Sequence, residues 1–189
     1  MSNYYKKLVG ENVYLSPMNP DDVEKFLVWL SDMDVTDYIG NTHRVQNYEN
    51  EKAWLQGELA KGGYVFEIVT LADDTAIGNM SLKDVDFVNR RATLGIMIGE
   101  KESRNKGYGT EAIRILLDFA FNYLNLNNVD LTYVACNTRA RKCYEKVGFR
   151  EIGHRRNSRF INGAYYDEVY MDILADEFKE SYIKNKNVK

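Results

Sequence analysis

The sequence predicts one α/β (α+β) domain, in which helices cover both faces of a single mixed, mostly antiparallel sheet. A chain of 189 residues has the length of about one domain. Its 44% hydrophobic and 28% charged residues are typical of a globular protein with a packed core. The predicted elements follow the order strand, two helices, three strands, helix, strand, helix and hairpin, which favours helices packed on both sides of one sheet. We expect a core at about residues 12–174 of the domain 1–189, and a C-terminal surface helix or tail at 175–189.

Two helices are expected ahead of the central strands. After a short strand at Val13–Leu15, Asn19 can cap a helix and Pro20 has the φ angle of a first helical turn. The polar residues 31–46 are expected to form an irregular loop. A second helix is expected to begin near Asn47. Its apolar side chains are expected to face the core, namely Ala53, Trp54, Leu55 and Leu59.

The remainder of the chain alternates strands and helices that end at recognisable turns. The expected segments are, in order, strands 64–69, 76–85 and 92–99, a helix from Gly107 to about Leu126, a strand at 129–135, a helix at 138–147, and strands at 149–161 and 164–174. Asn162-Gly163 lies between the last two β-rich runs, and this dipeptide is a strong signal for a tight hairpin. On that hairpin, Arg155 and Arg159 are expected to pair with Asp167 and Glu168 across the strands.

Composition excludes several classes of function. The net charge of −3 lacks the basic excess of a nucleic-acid-binding protein. No apolar run is long enough to cross a bilayer, and the first ten residues lack the apolar core of a signal peptide. The two cysteines, Cys136 and Cys143, form no metal-binding or disulfide pattern, and His43 and His154 are expected at the surface. We therefore expect a cytoplasmic protein with no metal, no nucleic acid and no membrane partner.

Residues 104–112 contain the first candidate binding motif, a glycine loop that feeds a helix. Gly107, Gly109 and Ala112 match the dinucleotide fingerprint G-x-G-x-x-A. The polar segment 100–106 separates these glycines from the preceding strand, and Asp130 starts a strand instead of ending one, so a dinucleotide oxidoreductase is a minor alternative. A second alternative is a loop without a binding role, whose glycines only relieve steric crowding.

The backbone of this loop suits a pyrophosphate whichever ligand carries it. Exposed N–H groups and the helix dipole both favour an anion at a helix N-terminus. The expected cradle consists of Arg104, Asn105, Lys106, Gly107, Tyr108, Gly109 and Thr110.

A second motif begins at Asn137, at the junction of a strand and a helix. Ala140 and Tyr144 are four residues apart and therefore share one helix face. Small Ala140 leaves room for a ligand, and Tyr144 directs a phenol to the same groove. The alternative is structural, with Asn137 as a helix cap and Tyr144 as a core aromatic.

Together, Arg104-x-x-Gly107-x-Gly109 and Asn137-x-x-Ala140-x-x-x-Tyr144-Glu-Lys-x-Gly148-Phe149 resemble the GNAT superfamily of N-acetyltransferases. The ending Phe160–Asp167 is similar to the ribosomal-protein N-acetyltransferase-like branch, with spermidine acetyltransferases nearby. The resemblance implies a seven-stranded sheet with a splayed central strand pair. It also implies acetyl-CoA as co-substrate and direct transfer of the acetyl group to a primary amine, which is a protein or peptide N-terminus, a polyamine or another small amine.

The resemblance further implies where acetyl-CoA lies, between the strands at 92–99 and 129–135. Backbone groups of Ile96, Met97 and Ile98 would pair with the pantetheine arm, and Asn137 would contact it. Tyr144 would lie beside the sulfur as the general acid, since a phenol is protonated at neutral pH.

The residue that takes the amine proton stays open. Relatives often carry a glutamate on the strand at 92–99, where this sequence has Thr93. Glu67, which we expect as an exposed edge charge, is one candidate, and bulk water is another. The segment 31–46 supplies three more, Asp32, Asp34 and Asp37, which favour a cationic acceptor. The departure at Thr93 also leaves a non-catalytic acyl-CoA-binding sensor as an alternative function.

Overall fold

Eight strands form one sheet in the part of the chain that this computed structural model describes, residues 4–179 and 181–184. The strands are β1 (Leu8–Val9), β2 (Val13–Pro17), β3 (Tyr64–Thr70), β4 (Ala76–Asp86), β5 (Arg91–Ile98), β6 (Asn128–Val134), β7 (Arg150–Ile161) and β8 (Ala164–Leu174). The helices are α1 (Val23–Leu30), α2 (Met33–Ile39), α3 (Tyr48–Lys61), α4 (Tyr108–Asn122) and α5 (Thr138–Val147).

The spatial order of the sheet is β1-β2-β3-β4-β5-β6-β8-β7, and every neighbouring pair is antiparallel except β5 and β6. The mixed, mostly antiparallel fold is therefore confirmed. The sheet has one strand more than the seven expected, because Leu8 and Val9 pair with Leu15 and Tyr14.

The central parallel pair separates after three residues. Arg91–Thr93 of β5 pairs with Asn128–Asp130 of β6, after which the two strands no longer pair with each other, although β5 stays paired with β4 to Ile98 and β6 with β8 to Val134. The expected splayed strand pair is thus present, and it opens a gap in the middle of the sheet.

Helices cover both faces of the sheet, each over its own apolar cluster. Helices α4 and α5 pack on one face and α1, α2 and α3 on the other. Alternation along β2 supplies both clusters, since Val13 and Leu15 belong to the first and Tyr14 to the second. No helix in the described ranges combines the length and the apolar character that crossing a membrane requires.

Most of the predicted caps and turns are confirmed. The Asn19 side chain accepts a hydrogen bond from the Asp21 N–H at 3.1 Å, and that of Asn47 accepts from the Asn50 N–H at 2.9 Å. At the hairpin tip both residues of Asn162-Gly163 have positive φ angles, 45° and 83°, as a type I′ turn requires.

The expectation of an irregular loop at 31–46 is wrong in its first half, which forms α2. Asp32 caps this helix by accepting the Asp34 N–H at 3.0 Å, and Gly40 ends it in the left-handed conformation. Because α2 spans only seven residues and buries only Val35 and Thr36, it lacks the long apolar repeat that predicts a helix.

The expected orientation of α3 is also wrong. Leu55 is buried, but Trp54 is 43% and Leu59 is 40% exposed, and Ala53 is exposed as well. The residue that shares the buried face with Leu55, one turn earlier, is Glu51. Packing of Leu55 on the second cluster therefore sets the orientation of this helix, and the distribution of its apolar residues does not.

The C-terminal segment differs from the expected surface helix. Residues 175–179 and 181–184 contain no helix. Helix α4, against which this segment packs, ends at Asn122 instead of near Leu126. Buried Asp118 accepts backbone hydrogen bonds from Tyr182 at 2.6 Å and Ile183 at 2.9 Å. Ile183 is only 4% exposed, so this segment packs into the first cluster. Residues 180 and 185–189 lie outside the described ranges.

Candidate active site

A cavity of about 850 Å³ crosses the sheet at the gap between β5 and β6. On one side it is lined by residues 103–110, α5 and the edge of β5, a region that we name the loop half. On the other side it is lined by residues of α1, α2 and α3, by Asn41, Arg44 and Gln46 between α2 and α3, by Lys83 of β4 and by Arg159 of β7, and we name this side the helical half. The splayed strands therefore join two chambers that belong to opposite faces of the molecule.

The free edge of β5 forms one wall of the loop half. Beyond Thr93 this edge has no strand partner, and Ile96, Met97 and Ile98 all line the cavity. Backbone N–H and C=O groups that lack a ladder partner need one, and an extended ligand arm can supply it.

The N-terminus of α4 forms the second wall. Gly107, with a φ angle of 87°, is its N-cap, and it provides no side-chain oxygen for the first-turn N–H groups. Tyr108, Gly109 and Thr110 line the cavity directly after it, and no atom lies within 4 Å of the position that a Gly107 Cβ would occupy. The helix thus presents an uncapped positive end to open space, which suits a phosphate group. Asn105 also lines the cavity, whereas Lys106 does not.

Arg104 holds the loop against the end of β5. Its Nε donates to the Ile98 carbonyl oxygen at 3.3 Å and its Nη2 to the Gly99 carbonyl oxygen at 3.2 Å. Positive charge also comes from three side chains of α5 that the sequence analysis missed. They are Arg139, Lys142 and Lys146, which line the cavity. Their spacing of three and four residues places them on one helix face and is the signal that could have found them.

The position of Tyr144 is compatible with both interpretations from the sequence, a core aromatic and a phenol that faces the groove. It packs between Tyr133 and Phe149, with ring centroids 5.9 Å and 6.0 Å away, and is 8% exposed. It also lines the cavity, and its hydroxyl has no hydrogen-bond partner among the described residues. Burial raises the pKa of its phenol above the usual value, so the group is protonated at neutral pH.

Asn137 and Ala140 lie at the start of α5 and both line the cavity. The Asn137 Oδ1 accepts the Ala140 N–H at 3.1 Å, so the capping interpretation is correct. The Asn137 side chain thus uses its oxygen for the helix and has its nitrogen left for a ligand.

The candidate bases predicted from the sequence are mostly placed elsewhere. Glu67 is fully buried instead of exposed, its carboxylate accepts the Asn19 N–H at 2.7 Å, and it does not line the cavity. Burial raises the pKa of Glu67 to about 8. Asp32 caps α2 and pairs with Lys101 at 3.0 Å.

Of the three acids in residues 31–46, Asp34 lines the cavity. The Asp37 carboxylate accepts the Thr42 hydroxyl at 2.6 Å and, with Asp32, lies outside the lining. Thr93 lines the cavity at the point where β5 and β6 separate.

Glu51 is the carboxylate that the sequence analysis missed. It lines the helical half together with Trp54 and Glu58 of the same helix, and it is 2% exposed. Burial raises the pKa of its carboxyl group. The available signal was its position one turn before Leu55, which places both on one face.

In the part of the chain that the structure describes, the other reactive groups do not gather into a second site. Within the described ranges, no three His, Cys, Asp or Glu side chains converge as a metal would require. Both cysteines are free. His43 is exposed, and His154 contacts Glu151 at 2.6 Å on the surface.

The chain matches the family model described as "Acetyltransferase (GNAT) domain" over residues 12–150. It is 38% identical over 109 residues to the "Putative ribosomal N-acetyltransferase YdaF" of Bacillus subtilis, which is 58% of this chain and 59% of that protein. It is 34% identical over 111 residues to the spermidine N(1)-acetyltransferase of Vibrio cholerae, which is 59% of this chain and 64% of that protein. The aligned segments thus span about three fifths of these two relatives.

The fold agrees with these sequence matches. The crystal structure of the Vibrio cholerae spermidine N-acetyltransferase in complex with CoA and spermine superposes with a TM-score of 0.80 at 24% identity, covering 88% of this chain and 97% of that one. The chain therefore belongs to the GNAT acetyltransferase family, and its class is that of the N-acetyltransferases. The dinucleotide alternative is accordingly wrong.

Proposed function

We propose that the protein transfers an acetyl group from acetyl-CoA directly to a primary amine, which is a protein or peptide N-terminus, a polyamine or another small amine. The observation that carries this proposal is the cavity through the sheet, which joins the uncapped N-terminus of α4 to a chamber that includes the carboxylates of Asp34, Glu51 and Glu58. Family membership supports the reaction type. The similarity to a spermidine N(1)-acetyltransferase supports an amine acceptor.

The loop half has the features that acetyl-CoA, which supplies the acetyl group as a thioester, would require. The first-turn N–H groups of α4, beside Gly107 and Gly109, would bind the pyrophosphate. The open edge at Ile96–Ile98 would pair with the pantetheine arm. Cationic side chains of α5 would neutralise the remaining phosphate charge, and the Asn137 Nδ2 would donate to the arm.

The chemistry uses groups at the junction of the two halves. Attack by the amine nitrogen forms the C–N bond and breaks the C–S bond. Backbone N–H groups at the open β5 edge are fixed donors for the negative charge that develops on the carbonyl oxygen. Tyr144 donates its phenolic proton to the departing CoA sulfur, and burial keeps that proton in place beforehand.

The helical half would select the acceptor. Seven residues of the segment 31–46, whose acids favour a cationic acceptor, line the cavity: Asp34, Val35, Tyr38, Ile39, Asn41, Arg44 and Gln46. Carboxylates there favour a cationic acceptor over a neutral one.

The second candidate is a non-catalytic acyl-CoA-binding sensor, which Thr93 favours, since relatives often carry a glutamate at that position. Thiol release from acetyl-CoA, measured with N-terminal peptides, spermidine and amino sugars, separates the two functions. We expect amine-dependent thiol release and a product heavier by one acetyl group. Tight acetyl-CoA binding without release for any amine would favour the sensor.

A further inference from the structure

We propose that Glu51 binds the ammonium group of the acceptor and takes up its proton, so that a neutral amine attacks the thioester. This inference rests on the proposed function and assigns the acceptor-binding carboxylate of the same site. It starts from an acidic side chain that is 2% exposed and borders the helical half of the cavity.

Glu51 differs from the other buried acids in lacking a partner. Glu67 and Asp118 both accept backbone hydrogen bonds. Glu168 pairs with Arg159 at 2.8 Å. Within residues 4–179 and 181–184, the Glu51 carboxylate has neither a hydrogen bond nor an ion pair. A buried carboxylate without a partner is unfavourable, and a cation that enters the cavity would remove that penalty.

The fold holds this side chain toward the cavity. Leu55, one turn later, is 1% exposed and packs in the second apolar cluster, which prevents α3 from turning Glu51 outward. Trp54 and Glu58, three and seven residues further on, line the same cavity. The indole of Trp54 adds an aromatic face, which also suits a cation.

The charged side chains around Glu51 leave its carboxylate available to bind the acceptor cation. The other titratable side chains that line the helical half are Asp34, Tyr38, Arg44, Glu58, Lys83 and Arg159. Three of them have ion-pair partners of their own, since Arg159 pairs with Glu168, Glu58 with Lys61 at 2.7 Å and Asp34 with Lys101 at 3.5 Å. Burial raises the pKa of Glu51 above its usual value, which makes its carboxylate a stronger base.

The proton balance follows from this placement. The acceptor arrives as R–NH₃⁺ and transfers one proton to the Glu51 carboxylate. The C–N bond forms and the C–S bond breaks, the nitrogen loses its second proton to solvent, and the CoA sulfur gains one from Tyr144, which solvent then reprotonates. Glu51 then releases its proton to solvent, so each turnover yields an amide, CoA thiol and one net proton.

Three variants test the proposal. Glu51→Gln should lower kcat/KM for the amine by about 10²-fold or more, while the Kd for CoA stays within about twofold. The loss should shrink at high pH, where the free amine deprotonates without help. Glu51→Asp should recover part of the activity. Glu49→Gln is the matched control, because Glu49 is an exposed acid of the same helix turn that does not line the cavity.

A stability measurement needs no acceptor. Because the pKa of Glu51 is raised in the folded state, ionisation as the pH rises costs the wild type stability that Glu51→Gln keeps. The variant should melt at or above the wild-type temperature at about pH 8, by a margin that grows from about pH 5.

The outcomes separate this proposal from the proposed function. Wild-type kcat/KM in Glu51→Gln, or a melting temperature below wild type at every pH, would overturn the role of Glu51. If wild type acetylates no amine, the proposed function fails. In that case calorimetric titration of the CoA-bound proteins with spermidine and a peptide amine still tests Glu51, since equal affinities in wild type and Glu51→Gln would overturn the proposal.

Discussion

The loop half and the helical half of the cavity are built in different ways. The loop half comes from two short stretches of chain, residues 103–110 and 137–146, and one strand edge, and it offers backbone groups. The helical half comes from α1, α2, α3, the segment 41–46, β4 and β7, and it offers side chains. Backbone binding requires glycines and caps at fixed spacing, which leave a local pattern in the sequence. A site made of side chains from distant segments leaves none.

The largest effect is expected from Gly109→Glu, which tests the loop half alone. A Cβ at this position would meet the Ile98 side chain at an ordinary 3.6 Å, so the fold should tolerate the change. The added carboxylate would occupy the anion site and repel the pyrophosphate, raising the Kd for acetyl-CoA by roughly 10²-fold or more. Calorimetric titration measures this. The control is Gly57→Glu in α3, where nothing lies within 4 Å. An unchanged Kd for acetyl-CoA in a folded Gly109→Glu variant would contradict pyrophosphate binding at this loop.

Tyr144→Phe tests the junction between the halves. If the phenol protonates the CoA sulfur, kcat should fall by about 10²-fold while the KM for acetyl-CoA changes by less than about twofold. The phenyl ring keeps its contacts with Tyr133 and Phe149, so the melting temperature should hold. Steady-state kinetics and thermal melting are measured together. A lower melting temperature with near-normal turnover per folded molecule would show that Tyr144 is a packing residue and not the general acid.

Glu67→Gln tests whether a buried acid outside the cavity affects stability only. The folded-state pKa of about 8 lies above that of the unfolded chain. The protonated form thus favours folding, and wild type should lose stability as the pH rises from about 5 to 8, by at most about 1.4 kcal/mol per pH unit. The variant should show a flatter profile in urea unfolding, with wild-type kcat/KM. Parallel pH profiles would contradict the raised pKa, and a large loss of activity would bring Glu67 into the site.

The smallest effect is expected from Asp34→Asn. Asp34 lines the helical half, but its side chain is 74% exposed and already lies 3.5 Å from Lys101. Solvent screens such a charge, so the KM for a cationic acceptor should rise by only about threefold. Asp37→Asn is the control, since Asp37 lies outside the lining. An equal rise in both variants would show a diffuse field in place of a specific contact.

Local sequence signals predicted the loop half well. Gly107 and Gly109 marked the N-terminus of α4, and Asn137 marked that of α5. Of the residues expected around the cofactor, Lys106 alone is absent from the lining. The splayed central strand pair came with the family resemblance and is confirmed by the register of β5 and β6.

The helical half was predicted poorly, for a physical reason. Helix α3 carries apolar residues around its circumference, so its sequence favours no single orientation. The expected inward set included exposed Trp54 and omitted Glu51. The same weakness hid α2, whose seven residues bury only Val35 and Thr36.

The sequence alone determined the elements that depend on neighbouring residues, namely the helix caps, the Asn162-Gly163 turn and the glycine loop. Their hydrogen bonds form between residues only a few positions apart. Glu51 reaches the helical half only because Leu55 packs into the second apolar cluster and turns Glu51 toward a cavity that α2, β5 and β7 also border. Those contacts join residues that are far apart along the chain. Their packing energy determines which face of α3 is buried, and no short stretch of sequence contains that information.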